Sequence, residues 1–128
     1  MKILLDTHAF LWLMVDDPRL SATAKKLFLD PSNNILLSLA SVWEMAIKTN
    51  LRKLKLPQPV IDYVHQRSGR FKIHLLSITL DHLSLIESLP QHHRDPFDRL
   101  IIAQGQFENI PILTQDRIFD KYSVQNIW

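Results

Sequence analysis

Four acidic positions, with a fifth beside one of them, carry the chemistry this sequence can offer: Asp6, Glu44, Asp95, Asp98 and Asp116. Each has an ordinary structural use. Asp6 follows the apolar run Lys2–Leu5 and can cap the helix after it. Ser41-Val42-Trp43-Glu44 has the spacing of a capping box. Asp95-Pro96-Phe97-Asp98 reads as N-cap, N1, N2 and N3, with Asp98 favoured by the helix dipole. Asp116 comes just after Ile112-Leu113-Thr114 and can cap a short helix. Convergence would give them a second meaning. Two bare charges ~4 Å apart repel by about 4 kcal/mol at an effective dielectric near 20, a cost that capping alone does not require. A hard divalent cation such as Mg²⁺ or Mn²⁺ offsets it, binds phosphate oxygens and acidifies water, which is the chemistry of phosphodiester hydrolysis. With Asp6, Glu44, Asp98 and Asp116 set aside as ligands, fifteen Lys and Arg face nine acids. The remaining surface then favours a polyanion.

These acids converge only if the elements around them form a parallel sheet. Strands are predicted at Lys2–Leu5, Asn34–Ser38, Phe71–Leu76, Ile110–Thr114 and Ser123–Ile127, from short runs of branched apolar residues. Helices are predicted between them at Thr7–Val15, Ser21–Leu29, Ser41–Asn50, Val60–Arg67, Leu80–Leu89, Pro96–Phe107 and Gln115–Lys121. Val42, Met45 and Ala46 are expected on the core face of the third helix. Strand and helix alternating at this spacing favour βαβ crossovers and a sheet covered on both faces. Ligands in such sheets bind beyond the carboxyl ends of the strands. Asp6 and Asp116 fall there, and Glu44 sits early on the following helix.

Composition narrows the alternatives. A chain of 128 residues is expected to form one domain, residues 1–128. Its two glycines exclude a dinucleotide fingerprint or phosphate-cradling loop, and its lack of cysteine excludes thiol nucleophiles and cysteine-ligated zinc. The longest wholly apolar run, Ala9–Val15, has seven residues, well short of the ~20 of a membrane span. The acid at position 6 interrupts any secretory leader. The expectation is therefore a soluble, cytoplasmic protein without membrane contact. A net charge of +2 says little, but Lys48, Arg52, Lys53 and Lys55 form one basic cluster and Arg67, Arg70 and Lys72 another.

The six histidines show no metal-ligand spacing, and His92-His93-Arg94 lacks the His-Asp pair of a metal-dependent phosphohydrolase. His8 is expected to be partly buried with one hydrogen bond. Trp12 and Trp43 are expected in the core, while Trp128 reads as a tail or a contact.

Four stretches together resemble the PIN-domain family, and within it the VapC-like ribonuclease toxins. They are Leu4-Leu5-Asp6-Thr7-His8-Ala9-Phe10-Leu11-Trp12, Ser41-Val42-Trp43-Glu44-Met45-Ala46-Ile47-Lys48, His93-Arg94-Asp95-Pro96-Phe97-Asp98-Arg99-Leu100-Ile101-Ile102-Ala103-Gln104, and Leu113-Thr114-Gln115-Asp116. The resemblance spans the chain. It implies a three-layer α/β/α sandwich around a parallel sheet of about five strands. It implies Asp6, Glu44, Asp98 and Asp116 as metal-binding acids, with Asp95 auxiliary and Thr7 and Thr114 orienting the acids or water. It further implies a Mg²⁺- or Mn²⁺-dependent endoribonuclease, a homodimer, and a VapB-like antitoxin partner.

The expected function is cleavage of RNA phosphodiesters, with Lys48, Arg52 and Arg99 as candidate phosphate contacts. The alternative is a non-catalytic module that binds RNA or protein through the same domain. A phosphatase with an aspartate nucleophile fits poorly, because Asp6 is followed by Thr7-His8 and not by a second acid at +2.

Overall fold

The computed structural model describes residues 1–128. Five strands, β1 (Lys2–Leu5), β2 (Asn34–Ser38), β3 (His74–Leu76), β4 (Ile112–Leu113) and β5 (Asn126–Ile127), form one sheet in the order β3-β2-β1-β4-β5. Every pairing is parallel. The helices are α1 (Thr7–Val15), α2 (Ala22–Leu29), α3 (Leu39–Asn50), α4 (Val60–Phe71), α5 (Leu80–Ser88) and α6 (Pro96–Glu108), with a 3-10 helix at Arg117–Lys121. This is the expected three-layer α/β/α sandwich.

The two-residue period of the strands builds both outer layers. Ile3, Leu5, Ile35, Leu37 and Leu113 join one core with Phe10, Met45 and Tyr63 of α1, α3 and α4. Their neighbours Leu4 and Ile112 face the other side and pack with Leu100, Ile101 and Phe119. Successive side chains point to opposite faces, so short strands without a polar face are what a sheet covered on both sides needs. Residues 3, 4 and 5 and residues 112 and 113 are all fully buried.

Several boundaries differ from the sequence reading. The third helix starts at Leu39, and its cap is Ser38, whose side chain accepts the Ala40 N–H. Ser41 is therefore buried inside the helix and caps nothing, so Ser41–Glu44 is not a capping box. Helix α4 continues to Phe71 and stops where Lys72 takes a left-handed conformation, φ 55°. That leaves only His74–Leu76 for the strand expected from Phe71. On α3, Met45 is buried but Ala46 is exposed, and Val42 is only partly covered. Trp43 is 56% exposed, not a core residue, and its ring meets Phe97 edge-on at 4.9 Å. Trp12 is half-buried between Trp128 and the Arg19 guanidinium.

The sheet order reverses around β1, which pairs with β2 on one side and β4 on the other. The carboxyl ends of β1 and β4 therefore open onto a crevice, the usual place for a ligand in this class of sheet.

Candidate functional site

Asp6 leaves the end of β1 and caps α1. Its Oδ1 accepts the Ala9 N–H at 2.7 Å, and its Oδ2 accepts the Thr114 hydroxyl at 2.5 Å. Thr114 follows β4, and its oxygen also receives the Asp116 N–H at 3.0 Å. One hydroxyl thus ties the ends of adjacent strands together and sets the backbone that carries Asp116. Asp116 in turn caps the 3-10 helix, its Oδ1 accepting from Ile118 N at 2.9 Å. Burial pushes the Asp6 carboxyl above its usual value. The Thr114 and Ala9 bonds oppose that rise, and the Asp116 charge adds to it.

Glu44 approaches from α3 and is 2% exposed. Thr7 donates to its Oε1 at 2.7 Å and lies 2.9 Å from the Ser41 hydroxyl. Lys48, one turn along, donates to Glu44 Oε2 at 2.7 Å. That bond holds the Lys48 ammonium above its ordinary pKa, with further help from the charges of Glu44, Asp95 and Asp98. Pairing at i,i+4 on a helix explains how α3 can present a buried acid.

Asp95 and Asp98 open α6. Asp95 Oδ1 accepts the N–H groups of Phe97 (2.8 Å) and Asp98 (3.1 Å), with Pro96 at the first helical position. The Asp98 carboxyl is pushed up to about 8, chiefly by burial and then by the charges of Asp95, Asp6, Glu44 and Asp116. Five acids from four separate stretches thus act on one another in a single crevice. Thr114 ties Asp6 to this crevice and Thr7 ties Glu44, but the only trio of acids and histidines whose ligand atoms all come within 4.8 Å of one another is Asp98 and Asp116 together with His93.

The sequence reading missed His93. It is buried, and its Nε2 lies 2.8 Å from Asp116 Oδ2 and 3.2 Å from Asp98 Oδ2. One atom from each of His93, Asp98 and Asp116 falls within 4.8 Å of the others. No ligand spacing flags this histidine. The available signal was its place two residues before Asp95, in the loop that leads into α6.

Arg99 overturns an expectation. Its side chain is buried, and the guanidinium donates to the backbone oxygens of Pro90 (2.8 Å), His93 (3.2 Å) and Leu89 (3.2 Å). A buried fork turned onto backbone carbonyls is not placed to grip a phosphate at the surface. Arg52 is exposed, in a left-handed conformation at φ 59°. Lys48 is committed to Glu44 but remains partly exposed. A groove of about 430 Å³ is bordered by Thr7, His8, Trp12, Asp17, Arg19, Lys48, Lys53 and Lys55.

A parallel α/β sandwich with a carboxylate-lined crevice at its switch point is the class of protein these features define. Residues 3–125 match the family model described as PIN domain, and the chain belongs to the PIN domain family. It is 42% identical over 69 residues to Ribonuclease VapC16 of Mycobacterium tuberculosis (strain ATCC 25618 / H37Rv), a match covering 51% of this chain and 49% of that protein. The chain therefore matches about half the length of this curated relative. Among solved structures, it resembles VapBC2 from Rickettsia felis bound to a DNA fragment from the promoter, with a TM-score of 0.75 and 15% identity. That likeness covers 99% of this chain and 98% of that one. It also resembles the sarcin-ricin loop cleaving toxin VapC20 of M. tuberculosis, with a TM-score of 0.67, 16% identity and 93% of each chain covered. At these identities the likeness is one of fold. No helix is long and apolar enough to cross a membrane.

Proposed function

We propose that this chain is a divalent-metal-dependent endoribonuclease, the toxin of a toxin–antitoxin pair, acting as a single domain over residues 1–128. The observation that carries the reading is one buried crevice shared by Asp6, Glu44, Asp95, Asp98 and Asp116, where burial and then the charges of the other four push Asp98 up to about 8. Such accumulated repulsion fits a site whose working state contains positive charge. The donor set is of carboxylate oxygens, which suits Mg²⁺ or Mn²⁺. Asp6, Glu44, Asp98 and Asp116 would hold the ion, with Asp95 beside them. When bound, it supplies charge against phosphate oxygens and acidifies water.

The residues of the chain do the rest. Thr114 fixes the Asp6 carboxylate against the Asp116 backbone, and Thr7 fixes Glu44. Lys48 pairs with Glu44 and stays partly exposed on the side where RNA phosphates would arrive. Arg52 and the basic border of the groove supply further attraction for a polyanion. Support for an antitoxin partner of the VapB kind comes from the structural neighbours, several of which are VapBC complexes. A homodimer is part of the same reading, as is a cytoplasmic setting where RNA is available.

The test is Asp98→Asn, which keeps size and the helix start but removes a charge. RNA cleavage with Mg²⁺ or Mn²⁺ should fall by at least about two orders of magnitude, on the scale seen when a key electrostatic group is removed. The circular dichroism spectrum and melting transition should stay cooperative. Cleavage at the wild-type rate rejects the assignment, and absence of cleavage by the wild type favours a binding module.

A further inference from the structure

Resting on that reading of the acid cluster, we propose that His93 is a positioning residue. Its Nε2–H donates to Asp116, with Asp98 close beside it, and fixes the Asp116 carboxylate toward the cation without binding the cation itself.

The argument begins at the far side of the ring. The Asp95 backbone N–H donates to His93 Nδ1 at 3.2 Å. A nitrogen that accepts a hydrogen bond carries no proton, so the ring proton lies on Nε2. That nitrogen faces Asp116 Oδ2 at 2.8 Å and Asp98 Oδ2 at 3.2 Å. The hydrogen bond therefore goes to Asp116, and the Asp98 oxygen lies beside it without the alignment of a second one. For Nε2 to ligate a metal, it would have to lose this proton while Nδ1 still accepted from Asp95, leaving an anionic ring. Otherwise the Asp95 bond would have to break. The observed arrangement fits a donor.

The donor is held as firmly as the acids it serves. The ring meets Phe119 edge-on, with centroids 5.7 Å apart. The His93 N–H donates to the Tyr122 hydroxyl at 2.6 Å, and that hydroxyl donates to Pro90 O at 2.8 Å. The Arg99 fork closes the same turn through Leu89, Pro90 and His93. The loop between α5 and α6 is thus clasped by Arg99 and Tyr122, and the clasp aims one imidazole at two aspartates.

This arrangement answers a physical problem. Asp98 and Asp116 bring like charges together, and the Asp116 charge adds to the burial and neighbouring acids that make Asp98 costly to ionise. An N–H given to Asp116 beside Asp98 offsets part of that repulsion and fixes where Asp116 Oδ2 points. Asp98 Oδ1 accepts no protein hydrogen bond and remains for other use. Groups that hold a ligating carboxylate commonly change metal affinity by about 10- to 100-fold when removed.

Two measurements test the role without RNA. In ¹⁵N spectra of histidine-labelled wild-type protein, Nε2 should carry the proton and Nδ1 should be bare, both before and after Mg²⁺ is added. Loss of the Nε2 proton on Mg²⁺ binding, or its transfer to Nδ1, overturns the proposal and makes His93 a ligand. In calorimetric Mg²⁺ titrations, His93→Leu should bind about 10- to 100-fold more weakly than wild type. His93→Gln, whose amide has both a donor and an acceptor, should recover much of the loss. A Leu variant that binds like wild type, or a Gln variant no better than Leu, also overturns it. With RNA, kcat of the Leu variant should fall while KM changes little. The spectra use only the wild type, so they stand even if the Leu variant folds poorly. If the wild type fails to cleave RNA while the spectra and titrations come out as expected, the nuclease reading fails and the positioning role survives.

Discussion

Arg99→Met should destabilise the fold without any direct effect on RNA contact. The guanidinium donates to three backbone oxygens, but these are unequal. Pro90 is exposed, so water can replace the donor there. Leu89 and His93 are buried, and their carbonyls lose a charged donor with nothing to replace it. At about 1.5 kcal/mol for each hydrogen bond to a charged group, the low end of the usual range, the loss is about 3 kcal/mol. In a domain of this size that lowers the melting temperature by roughly 10–15 °C. Urea titration of wild type and variant, with no RNA or metal present, measures it directly. The midpoint should fall and the slope should hold, because the surface exposed on unfolding is unchanged. Arg99→Lys should lie between the two, since an ammonium can satisfy some of these oxygens but cannot fork across them. A Met variant within about 0.5 kcal/mol of wild type that nevertheless binds RNA more weakly would refute the argument. It would return Arg99 to the phosphate-contact role that its sequence position first suggested.

Stability of the metal-free protein should fall as pH rises from about 4 to about 8. Asp98 has a folded-state value of about 8 against 3.8 for the free carboxyl. The native state holds the proton over that window and the unfolded state does not, so its contribution is full below about 4 and is lost on the way to 8. Melting curves in chelator should show this slope, and Asp98→Asn or saturating Mg²⁺ should flatten it; an unchanged slope in the Asn variant rejects Asp98 as the source. Lys72→Gly should raise stability by about 1 kcal/mol, because Lys72 ends α4 at φ 55° and glycine adopts that conformation without strain. Chemical denaturation checks it, and a loss of stability would mean that the Lys72 side chain contributes more than its backbone costs.

The sheet was largely legible because its signal is local. Ile3, Leu4 and Leu5 are apolar without alternation, which is how a strand buried on both faces reads, and β1 and β2 fall where expected. The acids were legible for the same reason: Asp6, Asp98 and Asp116 sit at element ends that the chain marks itself. What failed depended on tertiary surroundings. Ser38 and Ser41 are both plausible caps by residue type, and the choice was made by where β2 releases the backbone. The helix expected over Val60–Arg67 runs on through Gly69 to Phe71, and no side chain or backbone atom lies near where a Gly69 Cβ would be. Trp43 has an apolar ring, but it faces outward beside Phe97. Arg99 and His93 are the instructive pair. Helical periodicity cannot tell a surface arginine from one threaded under a loop, and no spacing rule identifies a histidine whose partners lie 5 and 23 residues away.

The Thr114–Asp6 hydrogen bond joins residues 108 apart in sequence. At synthesis rates of about 5–20 residues per second, that interval takes roughly 5–20 s of translation. Throughout it, a nascent chain carries Asp6 without the strand and hydroxyl that complete its surroundings. The crevice can form only when β4 inserts beside β1, late in synthesis, and parallel pairings of this range are slow to close. In a half-made copy the acid crevice is therefore incomplete by topology alone.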